Sequence, residues 1–396
     1  ASIEHPALPG EFTLVARDAF NGIVLWQRRF SDWHPMNLYI KHLTAQIMRR
    51  LAVIDDTVYC TPGYSAPITA FDGATGKQLN VYEGTEHTQE LVYDQGVLFA
   101  VIGDHVDTRA IGDTKGSLAS SEFPQAAYGP IIPRLDDPKS TIVALDADSG
   151  KRLWKKSGED TAGYQGSSLA VRGQYVAFCS AEPGPDADVA ARRGDKNAAR
   201  RGTQGSVVCL DRTSGDILWR KPVQLALSST TGTVPALVLS DSAVYVADAR
   251  ILHALSIKDG THLWTGDATM NHHKAPDLFL TGGVVWTGYG GRYTAYDPAT
   301  GKVVKTIQQA MTGPMGHDRC YRNRITDRFY INSATGGSDF VSLDTSGGTP
   351  QSEFPNPWAR STCGIGFLPC NGLLYAGPPA CSCSNGVMLN ALNALA

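Results

Sequence analysis

Short apolar runs alternate with turns rich in Asp and Gly along the whole chain of 396 residues. One pattern of eleven residues recurs, and each copy has a short apolar run, a turn that contains Asp and ends at Gly, and a second run that often ends in Trp. The copies are ARDAFNGIVLW (16–26), AFDGATGKQLN (70–80), ALDADSGKRLW (144–154), CLDRTSGDILW (209–219), ALSIKDGTHLW (254–264), AYDPATGKVVK (295–305) and an eroded SLDTSGGTPQS (342–352). We term this pattern the repeat hairpin, because Gly supplies the positive φ that a tight turn between two strands needs.

A second pair of apolar runs stands upstream of most repeat hairpins. Examples are RRLAVIDDTVYCTPG, QELVYDQGVLFAVIG, SLAVRGQYVAFCS, PALVLSDSAVYVAD, DLFLTGGVVWTG and NRITDRFYINSA. Their short runs and Gly, Asp or Asn turns indicate further hairpins. Two hairpins in each period of roughly 40 to 75 residues make a four-stranded blade. The sequence therefore predicts an all-β fold, a β-propeller that forms one domain over residues 1–396.

The two ends of the chain set the predicted number of blades. The N-terminal segment FTLVARDAFNGIVLW supplies only the second half of a blade, and the C-terminal segment GIGFLPCNGLLYAGP supplies a first half. These halves are expected to complete one blade between them and leave no open edge. Seven copies of the repeat hairpin with this closure predict seven blades of four strands. Eight blades is the alternative, if residues upstream of the sequence belong to the fold.

Composition narrows the function classes. The formal net charge of −3 argues against a general nucleic-acid binder, and no run of 18 apolar residues would span a membrane. The chain opens at ASIEHPALPG without a basic and apolar leader, so we expect that a signal peptide has been removed or that the sequence was trimmed. A monomer in the periplasm or outside the cell is the expected state.

The repeat hairpin resembles the tryptophan-docking repeat of the pyrroloquinoline-quinone-type propellers, approximately A-x-D-x-x-T-G-K-x-x-W. That superfamily includes quinoprotein alcohol dehydrogenases and the outer-membrane assembly lipoprotein of the β-barrel machinery. The resemblance covers nearly the whole chain and implies the propeller fold, whereas function varies within the superfamily. Quinone-binding members commonly place two adjacent cysteines against the cofactor. None of the eight cysteines of this chain is adjacent to another, so pyrroloquinoline quinone is not expected.

Candidate site residues precede the first strand of each predicted blade. In a propeller this segment points towards the central funnel, and it carries a recurring set of polar side chains: His42, His87, Tyr164, Thr231, His273, His317 and Arg360. Further polar residues flank two members of this set: His272 and Lys274, and Arg319, Tyr321, Arg322 and Arg324. Imidazole, phenol and guanidinium groups around one axis predict an anion site with acid and base capability. Histidines that lie by chance on surface loops are the alternative explanation.

The segment GHDRCYRNRITDRFY (316–330) is the densest part of this set. A guanidinium group bound to a uronate carboxylate favours loss of the sugar α-proton, and His317, Tyr321 or His273 are the candidate catalytic groups for that transfer. This chemistry is β-elimination, as in polysaccharide lyases, and some ulvan lyases are similar propellers. The predicted partner is thus an anionic polysaccharide or another extended ligand, which the protein binds and is able to cleave. A non-catalytic protein scaffold and a quinoprotein oxidoreductase are the alternatives.

The cysteines suggest a second site. Cys320 and Cys363 lie near the starts of first strands in neighbouring predicted blades, and Cys381 and Cys383 form a C-x-C pair in the next loop. Four thiols in one place indicate a tetrahedral zinc ion or two disulfides, and the sequence leaves both open. Cys179 and Cys209 lie on strands that should pair, so a disulfide or two buried thiols are equally open there, and Cys60 and Cys370 are predicted as apolar core residues.

Overall fold

The computed structural model describes residues 2–4, 12–30, 49–63, 65–103, 140–166, 168–181, 203–225, 235–248, 250–269, 276–310, 322–344, 353–361, 366–377 and 393–395. Over these residues the chain consists almost entirely of strands and turns, with one 3-10 turn at Gly158–Asp160. The protein is the predicted all-β, seven-bladed β-propeller of four-stranded antiparallel blades. Six of its blades are complete four-stranded sheets, and the strands at the two ends of the chain account for the rest.

The strands are numbered in chain order and pair with their neighbours in the chain. The N-terminal sheet contains β1 (Ser2–Glu4), β2 (Phe12–Arg17) and β3 (Val24–Phe30). The next two sheets contain β4 (Leu51–Ile54), β5 (Thr57–Cys60), β6 (Ile68–Asp72) and β7 (Gln78–Tyr82), then β8 (Thr88–Asp94), β9 (Val97–Ile102), β10 (Thr141–Asp146) and β11 (Arg152–Lys156). The fourth sheet contains β12 (Ala170–Arg172), β13 (Tyr175–Ala181), β14 (Thr203–Asp211) and β15 (Ile217–Leu225).

The remaining sheets follow the same order. The fifth and sixth contain β16 (Ala236–Leu239), β17 (Ala243–Ala247), β18 (Ile251–Ser256) and β19 (His262–Asp267), then β20 (Asp277–Thr281), β21 (Val284–Tyr289), β22 (Arg292–Tyr296) and β23 (Val303–Gln308). The seventh contains β24 (Arg324–Ile325), β25 (Phe329–Asn332), β26 (Asp339–Ser342) and β27 (Glu353–Phe354). The C-terminal sheet contains β28 (Phe367–Cys370), β29 (Leu373–Ala376) and β30 (Asn393–Leu395).

The two ends of the chain differ from the prediction. They form two three-stranded sheets, and none of the described strand pairings joins an N-terminal strand to a C-terminal one. β1 pairs with β2 at Ser2–Val15, and β30 pairs with β29 at Leu395–Leu374. β1 thus covers the edge of β2, and β30 covers the edge of β29. These are the two edges that were predicted to pair with each other. The predicted closure by pairing between the ends is therefore not seen in the described part of the chain.

The repeat hairpin joins the third and fourth strands of a sheet. In the hairpin of β6 and β7, the Asp72 carboxylate accepts hydrogen bonds from the Thr75 amide at 2.7 Å and the Thr75 hydroxyl at 2.6 Å. These bonds, the hydroxyl bond first, lower the pKa of Asp72. The strand pairing shifts register between Ala70 and Phe71, and the same shift recurs in four other repeat hairpins. In the hairpin of β6 and β7, Asp72 is thus the acceptor that closes the turn.

The Trp at the end of a repeat hairpin contacts the turn of the next one. Trp26 donates its indole N–H to the Gly73 carbonyl at 2.8 Å, and a Cβ on Gly76, where φ is +69°, would lie 2.6 Å from the Trp26 ring. Three other pairs have the same arrangement: Trp154 with Gly215, Trp219 with Gly260, and Trp264 with Gly301. Gly in the turn of one repeat thus has a packing reason where the preceding repeat ends in Trp, since only Gly leaves room for the ring.

The chain divides into two compact units, one of Ala1–Val176 with Leu210–Ile217 and the other of Ala177–Cys209 with Leu218–Ala396. In the first unit, one core cluster forms around Leu14, Trp26 and Phe71. In the second unit, a core cluster forms around Tyr245 and Trp264. Both clusters bury the apolar faces of facing strands, which is the main source of stability for a stacked β-sheet array.

Four cysteines lie among the described residues. Cys60, Cys179 and Cys209 are buried thiols, and Cys370 is an exposed thiol. The thiol alternative for Cys179 and Cys209 is therefore confirmed, as is the core position of Cys60. The core position predicted for Cys370 is wrong, because its side chain lies on the solvent-facing side of β28 next to the turn at Asn371 and Gly372. The described residues include no helix with the length and apolar content to cross a membrane.

Candidate functional site

A buried polar cluster in the first unit lies where first strands begin. Leu91 of β8 donates its amide to the Arg49 carbonyl at 2.8 Å, so the residue pair before β4 is held against β8. The pairing of β8 with β9 shifts register between Thr88 and Glu90. Glu90 is 7% exposed. A carboxyl group is therefore brought into the interior, where it requires hydrogen-bond donors.

Two donors meet the Glu90 carboxylate. The Arg49 guanidinium donates to Glu90 Oε2 at 2.7 Å, and the Tyr164 hydroxyl donates to the same oxygen at 2.6 Å. Burial, followed by the Glu90 charge, raises the pKa of Tyr164 well above its ordinary value. The phenol consequently keeps its proton at neutral pH, where it donates a hydrogen bond and is not available as a base. We term Arg49, Glu90 and Tyr164 the Glu90 cluster.

A comparable cluster in the second unit surrounds Asp277, the first residue of β20. Asp277 Oδ2 accepts hydrogen bonds from the Asn323 amide group and from the Tyr330 hydroxyl, the latter at 3.0 Å. The Tyr330 ring stacks on Tyr293 with 3.9 Å between centroids. Burial lowers the pKa of Arg324, and the Asp277 charge acts in the opposite direction. We term Asp277, Asn323 and Tyr330 the Asp277 cluster.

Both clusters hold a buried carboxylate next to two donors. Such a carboxylate fixes the start of its strand and the donors around it, because removal of either donor would leave a buried charge with one hydrogen bond fewer. The sequence analysis missed Glu90 and Asp277. The signal was present, since each is an acidic residue directly before an apolar run in the first strand of its sheet, in QELVYDQG and DLFLTGG.

Five residues of the predicted site lie among the described residues. Arg324 is close enough to Asp277 for the Asp277 charge to act on its pKa. Tyr164 belongs to the Glu90 cluster and is 1% exposed. His87 has a left-handed backbone with φ of +62°, and its carbonyl accepts a hydrogen bond from the Gly103 amide at 3.2 Å. Arg322 is half-buried, and its carbonyl accepts a hydrogen bond from Arg324 at 3.4 Å. Arg360 is 1% exposed.

The other members of the predicted site lie outside the described residues: His42, Thr231, His272, His273, Lys274, His317, Arg319 and Tyr321, with the cysteine set Cys320, Cys363, Cys381 and Cys383. Their convergence stays a prediction, and the choice between zinc and disulfides stays open. Within the described ranges, no group of three or more His, Cys, Asp or Glu side chains is arranged to hold a metal ion.

Comparison with known proteins identifies relatives of the fold. The family model described as "Outer membrane protein assembly factor BamB" (PQQ_2) matches residues 138–364, which is more than half of the chain. A search of curated proteins returns no match.

Among solved structures, BamB from Moraxella catarrhalis is 14% identical with a TM-score of 0.48, and the match covers 96% of this chain and 91% of that one. A europium-containing methanol dehydrogenase is 11% identical with a TM-score of 0.48, over 93% of this chain and 80% of that one. The quinohemoprotein alcohol dehydrogenase from Comamonas testosteroni is 14% identical with a TM-score of 0.47, over 92% and 68% of the two chains.

Proposed function

Because the chain belongs to the family of outer membrane protein assembly factor BamB, we propose that it is a non-catalytic scaffold that binds another protein, and that the hairpin of β2 and β3 is a contact surface. The observation that carries the proposal is a cluster of exposed apolar side chains on this hairpin. Phe20, Ile23, Val24 and Leu25 are 73%, 63%, 43% and 56% exposed. Four large apolar side chains within six residues form a patch that water solvates poorly, and such patches are typical of protein contacts.

The hairpin presents this patch in a fixed shape. The Asp18 carboxylate accepts hydrogen bonds from the amides of Phe20 and Asn21, both at 2.9 Å. The Trp26 indole anchors the far end of the hairpin to the Gly73 carbonyl. A surface that is ordered before binding loses little conformational entropy when a partner docks.

Charge selects the kind of partner. Arg17, Arg28 and Arg29 lie on the two strands of the hairpin, and Arg29 is exposed. Arg17 donates to the Gly22 carbonyl at 3.0 Å, which places its charge beside the turn. We therefore assign the surface to a protein segment that carries apolar and acidic side chains. A periplasmic or extracellular location belongs to the same proposal and agrees with the description of the family.

The alternative is binding and β-elimination of an anionic polysaccharide. It depends on His273, His317 and Tyr321, which lie outside the described residues. Of the polysaccharide-binding side chains that are described, Tyr164 is buried and donates to Glu90. The scaffold is therefore the better supported of the two functions, and an assay of unsaturated-uronate absorbance with uronate polysaccharides separates them. A continuous increase of the unsaturated-uronate absorbance with time, catalysed by the purified protein, would establish the lyase instead.

A site-directed cross-linking experiment tests the scaffold. A photoreactive amino acid at Ile23, in cells that produce the protein, is expected to give a discrete cross-linked product that mass spectrometry identifies. The matched control carries the same group at Val303 on β23, which is exposed to a similar extent, 56%. A product that forms equally from both positions would contradict a specific surface.

The identified partner is then purified and its affinity measured. The double variant I23S/L25S is expected to weaken binding about tenfold or more, since each buried apolar side chain contributes about 1.5 kcal/mol or more. The control V303S/V304S removes two apolar side chains of similar exposure, 56% and 54%, and should bind as the wild type does. Equal affinity of I23S/L25S and the wild type would refute the assigned surface.

A further inference from the structure

A groove of about 500 Å³ lies in the second unit, between β15 and the hairpin of β18 and β19. Lys221, His253 and His262 supply its cationic and hydrogen-bonding groups, and Val223 and Leu255 form part of its apolar wall. None of the described residues that line it carries a carboxylate. The groove is therefore positive although the chain as a whole has a formal charge of −3.

Lys221 differs from its counterpart in the preceding repeat. Two residues after Trp154, Lys156 pairs with Asp216 of the next repeat hairpin, with 3.1 Å between nitrogen and oxygen. Lys221 stands two residues after Trp219, but the position that corresponds to Asp216 is Thr261. The carboxylate that Lys156 contacts thus has no equivalent here, and the described residues form no ion pair with Lys221. Its stem passes over Gly260, where an added Cβ would meet Lys221 Cγ at 2.4 Å.

Two acidic groups of the same sheet accept hydrogen bonds from backbone amides. Asp259 accepts a hydrogen bond from the Thr261 amide at 2.9 Å, and this bond, with a smaller effect of the Lys221 charge, lowers its pKa to about 2. Asp248 accepts hydrogen bonds from the amides of Arg250 and Ile251, both at 2.7 Å. Neither carboxylate lines the groove.

His253 is a second departure from the repeat. Four other repeats have Val at this strand position, immediately before the first residue of the repeat hairpin, and two have Thr69 or Thr294. The imidazole of His253 lies 3.2 Å from the Gln224 carbonyl through Nε2. Because a carbonyl only accepts, Nε2 carries the hydrogen in this contact, and the ring is held in one orientation. His253 is thus the one imidazole at this position of the seven repeats, and it lies in the repeat where Lys221 faces Thr261 instead of an Asp side chain.

We propose that this groove binds a small organic carboxylate with an apolar body. The Lys221 ammonium takes the carboxylate through a charge-assisted hydrogen bond in place of the missing Asp side chain. His262 offers a further donor, and Val223 and Leu255 contact the apolar body. This site is separate from the contact surface of β2 and β3, so the two proposals stand or fall independently.

The probe is 3-phenylpropionate, and its neutral amide, 3-phenylpropionamide, is the matched ligand control. Binding is followed at pH 7 by the imidazole resonances of the full chain labelled with ¹³C-histidine, assigned with the variants His253→Gln and His262→Gln. The carboxylate is expected to shift the signals of His253 and His262 and to bind about tenfold or more tightly than the amide, as one charge-assisted hydrogen bond predicts.

Two variants test the role of Lys221. Lys221→Met keeps the stem over Gly260 and removes the charge, and it is expected to lower affinity about tenfold or more. Thr261→Asp restores the carboxylate of the preceding repeat and is expected to have the same effect by occupying Lys221, even where Lys221→Met folds poorly. Lys258→Met, on the exposed turn outside the groove, is the control and should bind as the wild type does.

Three results would overturn the proposal. They are the absence of any shift of the His253 and His262 signals by the carboxylate, equal binding of the carboxylate and its amide, and unchanged affinity in Thr261→Asp. Equal binding would indicate an apolar groove without recognition of charge, and unchanged affinity would show that Lys221 is not the carboxylate-binding group.

Discussion

Substitution of Gly301 by Ala measures what the Trp contact between neighbouring repeats contributes to stability. Gly301 has φ of +69°, and a Cβ there would lie 2.6 Å from Trp264 Cδ2. The indole must therefore move. It would leave its hydrogen bond to the Pro298 carbonyl, now 2.9 Å, and its contacts with Tyr245 and Tyr296, whose ring centroids lie 5.8 and 5.9 Å away.

The magnitude follows from these contacts. A left-handed backbone costs an Ala residue about 1–2 kcal/mol. Loss of the indole hydrogen bond adds about 0.5–1.5 kcal/mol, and weaker aromatic packing adds about 0.5–1.5 kcal/mol. G301A should therefore lower the free energy of unfolding by about 2–5 kcal/mol.

The same blade offers a matched control. Gly282 also has a positive φ, +59°, but an added Cβ would meet no atom within 4 Å. G282A should therefore cost only the backbone part, about 1–2 kcal/mol. Urea unfolding followed by far-ultraviolet circular dichroism gives the midpoint and slope for both variants. An equal loss of stability in G301A and G282A would refute the assignment of a packing role to the glycine under Trp264.

Two further predictions concern buried polar groups. Tyr164→Phe leaves Glu90 with one donor fewer and should lower the free energy of unfolding by about 1–3 kcal/mol. The control Tyr175→Phe removes an exposed hydroxyl bonded to Gln174 and should change the free energy of unfolding by less than about 0.5 kcal/mol. A comparable loss of stability in both variants would contradict a special role for the Glu90 cluster. Burial lowers the pKa of His253 from its ordinary 6.5, so the unfolded chain binds the proton more readily, and this residue's contribution to stability is present above pH 6.5 and declines as the pH falls below it. His253→Gln retains a donor for the Gln224 carbonyl and should therefore lose less stability between pH 8 and pH 5 than the wild type in urea titrations. An unchanged loss would show that protonation of this imidazole does not cause the loss of stability at low pH.

The predicted fold depended on local rules that are written in the sequence. Alternating apolar residues predict strands, and the Asp72–Gly76 spacing predicts a turn whose hydrogen bonds close within five residues. The recurrence of Trp four residues after the turn Gly in four repeats likewise pointed to one repeated feature. These features gave the strand order and the four-stranded sheets, because each depends on neighbours close in the chain.

The separate terminal sheets were not predictable in this way. The N-terminal and C-terminal hairpins each have an edge strand that could pair either with the other hairpin or with a third strand from its own end. The local sequence patterns do not show which of these two pairings is more stable. Only their three-dimensional arrangement decided that each end pairs with its own third strand. Pairing of strand edges is non-local and is therefore weakly specified by hydrophobic pattern alone.

The candidate sites show the same division. The sequence marked Tyr164 as polar and close to a first strand, but its partner Glu90 is 74 residues away in the chain. Lys221 has the same sequence spacing from Trp as Lys156, and only the residue opposite, Thr261 instead of Asp216, distinguishes their surroundings. The sequence by itself determined which side chains the repeats present, because backbone sterics and alternation act locally. The tertiary structure decided which of them meet. Burial strengthens electrostatic interactions, so the presence or absence of a carboxylate from a distant part of the chain dominates the electrostatics of each site.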